Sequence, residues 1–138
     1  MKALALSVVV GLFAVVAGCS QEKGALRAGD DKAAAPGKVL RHVVLFKYKD
    51  SATPEQVKAS VDAFRALPSK INLIKSFEWG TNISPEHLDQ GFTHAYFLTF
   101  TTAADRDAYL VHPAHKEFGA SLSPVLDKAL VIDYWAAK

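Results

Sequence analysis

The chain has 138 residues, 16 Lys and Arg against 14 Asp and Glu, one Cys, and a composition that is 50% hydrophobic. That length fits one domain of ordinary size. A lone Cys excludes an internal disulfide, and the near-balance of charge excludes the concentrated basic face that nucleic-acid binders need. From Val39 onward basic and acidic residues are equal in number, so the slight basic excess belongs to the segment before it.

Lys2 is followed by an apolar run from Ala3 to Gly18, interrupted only by Ser7. A short positive start, an apolar stretch and small residues at its end form the secretory signal pattern. The alternative, a membrane-spanning helix, needs about 17–25 residues, and this run sits at the short limit. It ends in Val16-Ala17-Gly18-Cys19, which resembles the lipobox of bacterial lipoproteins. The resemblance implies a signal peptide over residues 1–18, lipidation of Cys19, and a membrane connection through that lipid anchor alone. The expected location is the cell envelope. Because Ser20 follows the Cys, it would be the outer membrane facing the periplasm in a Gram-negative host. Residues 19–38 are rich in Ala, Gly, Lys and Asp and read as the lipidated Cys and a flexible tether. The folded domain is expected over 39–138.

Leu40 to Tyr48 is β-branched and aromatic and too short for a typical helix, so it reads as the first strand. Thr53-Pro54-Glu55-Gln56 opens a helix, with Thr as N-cap, Pro in the first position and Gln three residues after the cap. Val57, Val61, Phe64 and Leu67 recur at helical spacing as its buried face, and Pro68 is expected to end it. Ile71 to Gly80 reads as the second strand. Ser84-Pro85-Glu86 predicts a short turn of helix closed by Gly91. Phe92 to Thr101 reads as the third strand. Thr102 and Asp105 have capping-box spacing and open a second helix through Tyr109 and Leu110. His112-Pro113 interrupts it, a further helix is expected from about Ala114 to Leu126, and Lys128 to Trp135 reads as the last strand.

The order β-α-β-β-α-β is the ferredoxin-like α+β plan. The expectation is that strands one and three lie side by side and parallel in the middle of the sheet. Both sheet faces are apolar: Val44 and Phe46 alternate with Val43 and Leu45, and Leu130 and Ile132 with Ala129 and Val131. Helices can cover only one face. The simplest cover for the other, carrying Val43, Leu45, Phe97, Leu130 and Ile132, is a second copy, which gives a homodimer and a dimeric α+β barrel.

All five histidines fall in the domain. His87 sits in a polar turn and receives no role. If the two central strands align at their starts, His42 and His94 project side by side. Tyr109 and His112 are spaced i, i+3, and Pro113 turns His115 off that face. An apolar pocket between sheet and helices, with imidazoles and a phenol at one end, is what a site for a small hydrophobic molecule looks like. The expected ligand-binding set is His42, Val44, Phe46, Phe64, His94, Tyr96 and Phe118. No metal or cofactor is expected, because the histidines lack a carboxylate or Cys at a recognisable spacing.

Several strings from this region resemble the stress-response A/B barrel domain family, Dabb: His42-Val43-Val44-Leu45-Phe46-Lys47, Phe77-Glu78-Trp79-Gly80, Gly91-Phe92-Thr93-His94, Tyr109-x-x-His112-Pro113-x-His115 and Val131-Ile132-Asp133-Tyr134. The Tyr-x-x-His-Pro-x-His string is the most specific. The resemblance implies a ferredoxin-like fold and a dimer. The family includes a plant polyketide cyclase whose acid/base Tyr and His look like Tyr109 and His115, and whose pocket is lined at positions resembling His42 and His94. Three readings stay open: a ligand-binding envelope lipoprotein, a cyclase- or lyase-type enzyme using Tyr109 and His115 as catalytic acid and base, and a structural barrel. Each residue also has a structural alternative. His112 can cap a helix, Tyr109 can be a core aromatic, and the remaining imidazoles can form a buried hydrogen-bonded cluster.

Overall fold

A computed structural model describes residues 37–136. The signal segment, Cys19 and the tether as far as residue 36 lie outside the described residues. No helix among the described residues is long and apolar enough to cross a membrane.

Eight elements follow one another: β1 (Leu40–Tyr48), α1 (Pro54–Arg65), α2 (Leu67–Lys70), β2 (Ser76–Thr81), β3 (His94–Phe100), α3 (Ala103–Val111), α4 (Pro113–Leu122) and β4 (Leu126–Trp135). Both expected helix starts are built as capping boxes. The Thr53 hydroxyl accepts from the Gln56 amide at 3.3 Å, and Gln56 Oε1 accepts from the Thr53 amide at 2.9 Å. Thr102 and Asp105 exchange the same pair of bonds at 3.0 and 3.2 Å. Each box satisfies two amides that no helical carbonyl can reach.

Three local expectations are corrected. Pro68 does not simply end a helix; it occupies the first turn of α2, where its missing N–H costs nothing. The second strand begins at Ser76 rather than Ile71, and Ile71 and Ile74 instead plug the core from the preceding loop. The segment 84–91 forms no helix. His87, Gln90 and Gly91 all have positive φ, and a turn closes there as Asp89 accepts from the amides of Gly91 and Phe92 at 2.7 and 2.9 Å. Left-handed residues so close together cannot propagate a right-handed helix.

The sheet order is β2-β3-β1-β4 and every pairing is antiparallel. This overturns the expected parallel pairing of the two central strands. β1 and β2 run the same way because a helix returns the chain between them, and the connection after β2 then reverses β3 against β1. His42 therefore sits opposite Leu98, and His94 opposite Phe46. The two histidines share a face but lie at opposite ends of it, roughly 13 Å apart at about 3.3 Å per residue.

The helices cover the face that carries Leu40, His42, Val44, Phe46, Tyr96, Leu98 and Phe100, all buried. Phe64 on α1 is the hub of this core. Its ring lies 4.3 Å from Tyr96, 4.6 Å from Phe118 and 5.4 Å from Phe77. Burying such a side chain contributes about 1.5–3 kcal/mol. No helix among the described residues covers the opposite face. Val43, which is buried, and Leu45, Ala95 and Phe97, which are half-buried, line its centre, and Leu130, Ile132 and Tyr134 stand exposed along β4.

Candidate functional site

α3 stops at Val111 because the residue before a proline is pushed out of the helical region, and His112 is accordingly extended at ψ 136°. His112 is at once the C-cap of α3 and the N-cap of α4, where its Nδ1 accepts from the Ala114 amide at 3.1 Å. A ring nitrogen used to accept from an amide is bound into helix capping, so the structure gives His112 the structural role. Tyr109 occupies the last turn of α3 and His115 the first turn of α4, and their rings meet with centroids 4.4 Å apart.

The His115 ring is fixed by its surroundings. Its Nδ1 lies 3.1 Å from the Leu110 carbonyl, one of the carbonyls that the end of α3 leaves without a helical partner. A carbonyl only accepts, so Nδ1 carries the hydrogen and Nε2 is left with a lone pair. Burial lowers the His115 pKa below its ordinary 6.5 and outweighs the opposing effect of the Leu110 bond, with the His42 and His112 charges lowering it slightly further. Neutral imidazole is the form this position favours.

Tyr109 is fully buried, and its hydroxyl has no hydrogen-bond partner among the described residues. Leaving a buried hydroxyl unpaired costs about 1–3 kcal/mol. Burial also drives its ionisation far above the usual phenol range. A group with this cost and no structural bond is suited to donating to an oxygen of something brought to it. The Tyr109 ring also meets His42, whose centroid is 5.7 Å away, and Phe100 at 5.1 Å. His42 Nδ1 lies 2.7 Å from Asp133 Oδ1 on β4, and Arg106 of α3 bonds the other Asp133 oxygen. Among the described residues no group of three or more His, Cys, Asp or Glu is placed to hold a metal ion.

The structure thus brings His42, Tyr109 and His115 together and leaves His94 out. His94 belongs to a second polar cluster at the far end of the interior. There the Tyr48 hydroxyl bonds Ser60 Oγ at 2.8 Å and the Tyr96 hydroxyl at 3.3 Å, and the His94 ring stands edge-on to Tyr48 at 5.0 Å. A groove of about 520 Å³ opens beside it between α1 and the end of β2, walled by Pro54, Val57, Val61 and Trp79, with Arg65 stacked on the Trp79 ring at 5.4 Å. Another depression of about 420 Å³ lies on the uncovered face, floored by Leu45, Ala95 and Leu130 and rimmed by Leu88 and Phe92. The expectation of one pocket with His42, His94 and the other site imidazoles together at one end is therefore corrected. His94 borders both hollows, whereas Tyr109 lies sealed in the core. Val44, Phe46, Phe64, Tyr96 and Phe118 form the packed aromatic and aliphatic core between the two ends.

Sequence reasoning missed Asp133 and Arg106 as parts of the site. The available signal was the alternation in β4, which puts Asp133 on the face of Val131 rather than that of Ile132. Only the β1–β4 register then sets it against His42.

Comparison with known proteins gives a consistent result. The chain is 39% identical over 95 residues to the Stress-response A/B barrel domain-containing protein HS1 of Arabidopsis thaliana, covering 69% of this chain and 87% of that protein. It is 28% identical over 99 residues to Olivetolic acid cyclase of Cannabis sativa, covering 72% and 98% of the two chains. The hydroxynitrile lyase from Passiflora edulis superposes with a TM-score of 0.68 at 29% identity, over 72% of this chain and 94% of that one. A dimeric ferredoxin-like protein from Bacteroides fragilis superposes with a TM-score of 0.58 at 29% identity, over 70% and 94%. Residues 40–136 match the model of the Stress responsive A/B Barrel Domain, and the chain belongs to that family, Dabb, with its ferredoxin-like α+β fold.

Proposed function

We propose that this chain is a lipid-anchored envelope protein whose domain works as a homodimer and binds a small, largely apolar molecule bearing a carbonyl oxygen, against Tyr109 and His115. The observation that carries the reading is the buried Tyr109 hydroxyl, which bonds nothing among the described residues and lies against a ring held with Nε2 free. A core that needed only stability would do better with Phe at that place. Because Tyr109 is sealed, ligand entry requires α3 and α4 to part from the sheet.

A second reading, acid–base catalysis on a carbonyl compound, is favoured by one feature. The phenol can donate and the neutral His115 Nε2 can accept within one site, the pairing general acid–base chemistry needs. Two proteins similar to this chain are a cyclase and a lyase. The dimer is supported by the apolar uncovered face, which in water costs about 25 cal/mol per Å², and by the dimeric B. fragilis relative. The anchor rests on Val16-Ala17-Gly18-Cys19.

The test is a thermal melt of the full chain with a panel of aromatic and polyketide-like carbonyl compounds. A ligand-dependent rise in Tm that disappears in Tyr109→Phe and His115→Ala supports the reading. No shift with any compound in the parent overturns it. Phe97→Asp should convert the dimer to a monomer or an aggregate in sedimentation. Cys19→Ala should leave an unprocessed precursor by intact mass.

A further inference from the structure

Both imidazoles that meet the Tyr109 ring are held through Nδ1. For His115 the holder is the Leu110 carbonyl; for His42 it is a side chain, Asp133, directly opposite in the β1–β4 register. A carboxylate beside a nearly buried imidazole, at 2.7 Å, accepts the Nδ1 hydrogen and leaves Nε2 bare, the same division of roles that an aspartate imposes on the histidine of a Ser-His-Asp triad.

Arg106 completes the arrangement. Its guanidinium spans two carboxylates, with Nε on Asp107 at 2.7 Å and one terminal nitrogen on Asp133 Oδ2. The two Asp133 oxygens are thus divided, Oδ1 to His42 and Oδ2 to Arg106. Asp133 is partly open to solvent at 28% side-chain exposure. Without a second bond its carboxylate could turn toward water and release the ring. An exposed ion pair would do little here. This one is partly exposed, at 22% and 28% side-chain exposure, but its guanidinium is also held by Asp107 and it acts on a group that itself holds a buried ring.

We infer that Arg106 is a positioning residue: by clamping Asp133 it fixes the His42 imidazole in the tautomer with hydrogen on Nδ1 and presents a bare Nε2 beside Tyr109. This deepens the proposed function, since it gives the site a second imidazole in the same protonation pattern as His115. It rests on the reading of His42, Tyr109 and His115 as one site.

The test reads the His42 ring nitrogens directly. The full chain carries isotope-labelled histidine and is studied by nitrogen-correlated NMR at about pH 9, well above the ordinary imidazole pKa of about 6.5. The His42 signals are assigned by their loss in His42→Gln. In the parent, His42 should be protonated on Nδ1 and bare on Nε2. In Arg106→Leu the pattern should move toward hydrogen on Nε2. In Asp133→Asn it should move furthest, because the amide NH₂ can face Nδ1. If Arg106→Leu does not fold, Arg106→Gln is read in its place. A parent protonated on Nε2, or an unchanged pattern in either variant, overturns the inference. The outcome is separable from the ligand test. A tautomer shift with no compound bound leaves the positioning role standing and removes the proposed function. A bound compound with unmoved tautomers does the reverse.

Discussion

At one end of the helix-covered interior the Tyr48 hydroxyl bonds Ser60 at 2.8 Å and Tyr96 at 3.3 Å; at the other, the Tyr109 hydroxyl bonds nothing among the described residues. Both ends gather phenol and imidazole groups over the helix-covered face of the sheet, and both keep a tyrosine fully buried. The first end has spent its polar groups on one another, and its hydroxyls order the core. The second has tied down its two imidazoles by Nδ1 and left the phenol that both rings meet unused. Residue type therefore does not separate a structural end from a functional one. The inventory of satisfied and unsatisfied atoms does.

The strongest blow to this contrast is Phe64→Ala, which removes the ring that packs on Tyr96 and Phe118. It should cost about 3–5 kcal/mol in chemical denaturation, as large-to-small aromatic changes in cores do. A loss below about 1 kcal/mol would show that the ends do not share a core. Tyr48→Phe should come next. It strands the Ser60 and Tyr96 hydroxyls and should cost about 1–3 kcal/mol.

Acid separates the ends less sharply, because burial lowers the pKa of both His94 and His115 from 6.5. Below that value the unfolded chain binds more protons than the folded one, so stability should be complete above about pH 6.5 and fall as the pH drops through the folded pKa values. His115→Gln should flatten that fall without abolishing it, since His94 still contributes. An unchanged pH profile would mean that His115 titrates alike in both states. The smallest effect belongs to Tyr109→Phe. With no bond to lose, it should leave stability within about 0.5 kcal/mol or raise it slightly, while removing ligand-dependent stabilisation. A loss of 1 kcal/mol or more would place Tyr109 with Tyr48 as a structural phenol.

The readable parts of this molecule were those whose physics is local. Both capping boxes involve residues three apart, and the His112-Pro113 break follows from a clash between neighbours. Alternation in β1 and β3 correctly assigns His42, Val44, Phe46, His94 and Tyr96 to one face. Strand direction was the failure, and it moved a residue of the expected site. Treating β1 and β3 as parallel puts His94 beside His42, whereas following the reversals of the chain puts it at the far end. The loop at 84–91 misled because Ser-Pro-Glu is a good helix start, while His87 and Gln90 give no strong signal of the left-handed backbone they adopt. Asp133 and Arg106 were hidden for another reason. Each reads as an ordinary surface charge, and only the pairing of β4 on β1 and the packing of α3 bring them to one imidazole.

The break at His112 has a geometric consequence for the pair it separates. On one continuous helix, residues six apart differ by about 240° around the axis and about 9 Å along it. Tyr109 and His115 would then point away from each other. The kink cancels both offsets, and it does so at a single residue that ends α3 and begins α4. The joint is also laced across: the His112 amide donates to the Tyr109 carbonyl, and the His115 ring bonds the Leu110 carbonyl of the other helix. The angle between the two helices and the alignment of phenol and imidazole are therefore set by the same few bonds, so a change at residue 112 or 113 should disturb both at once.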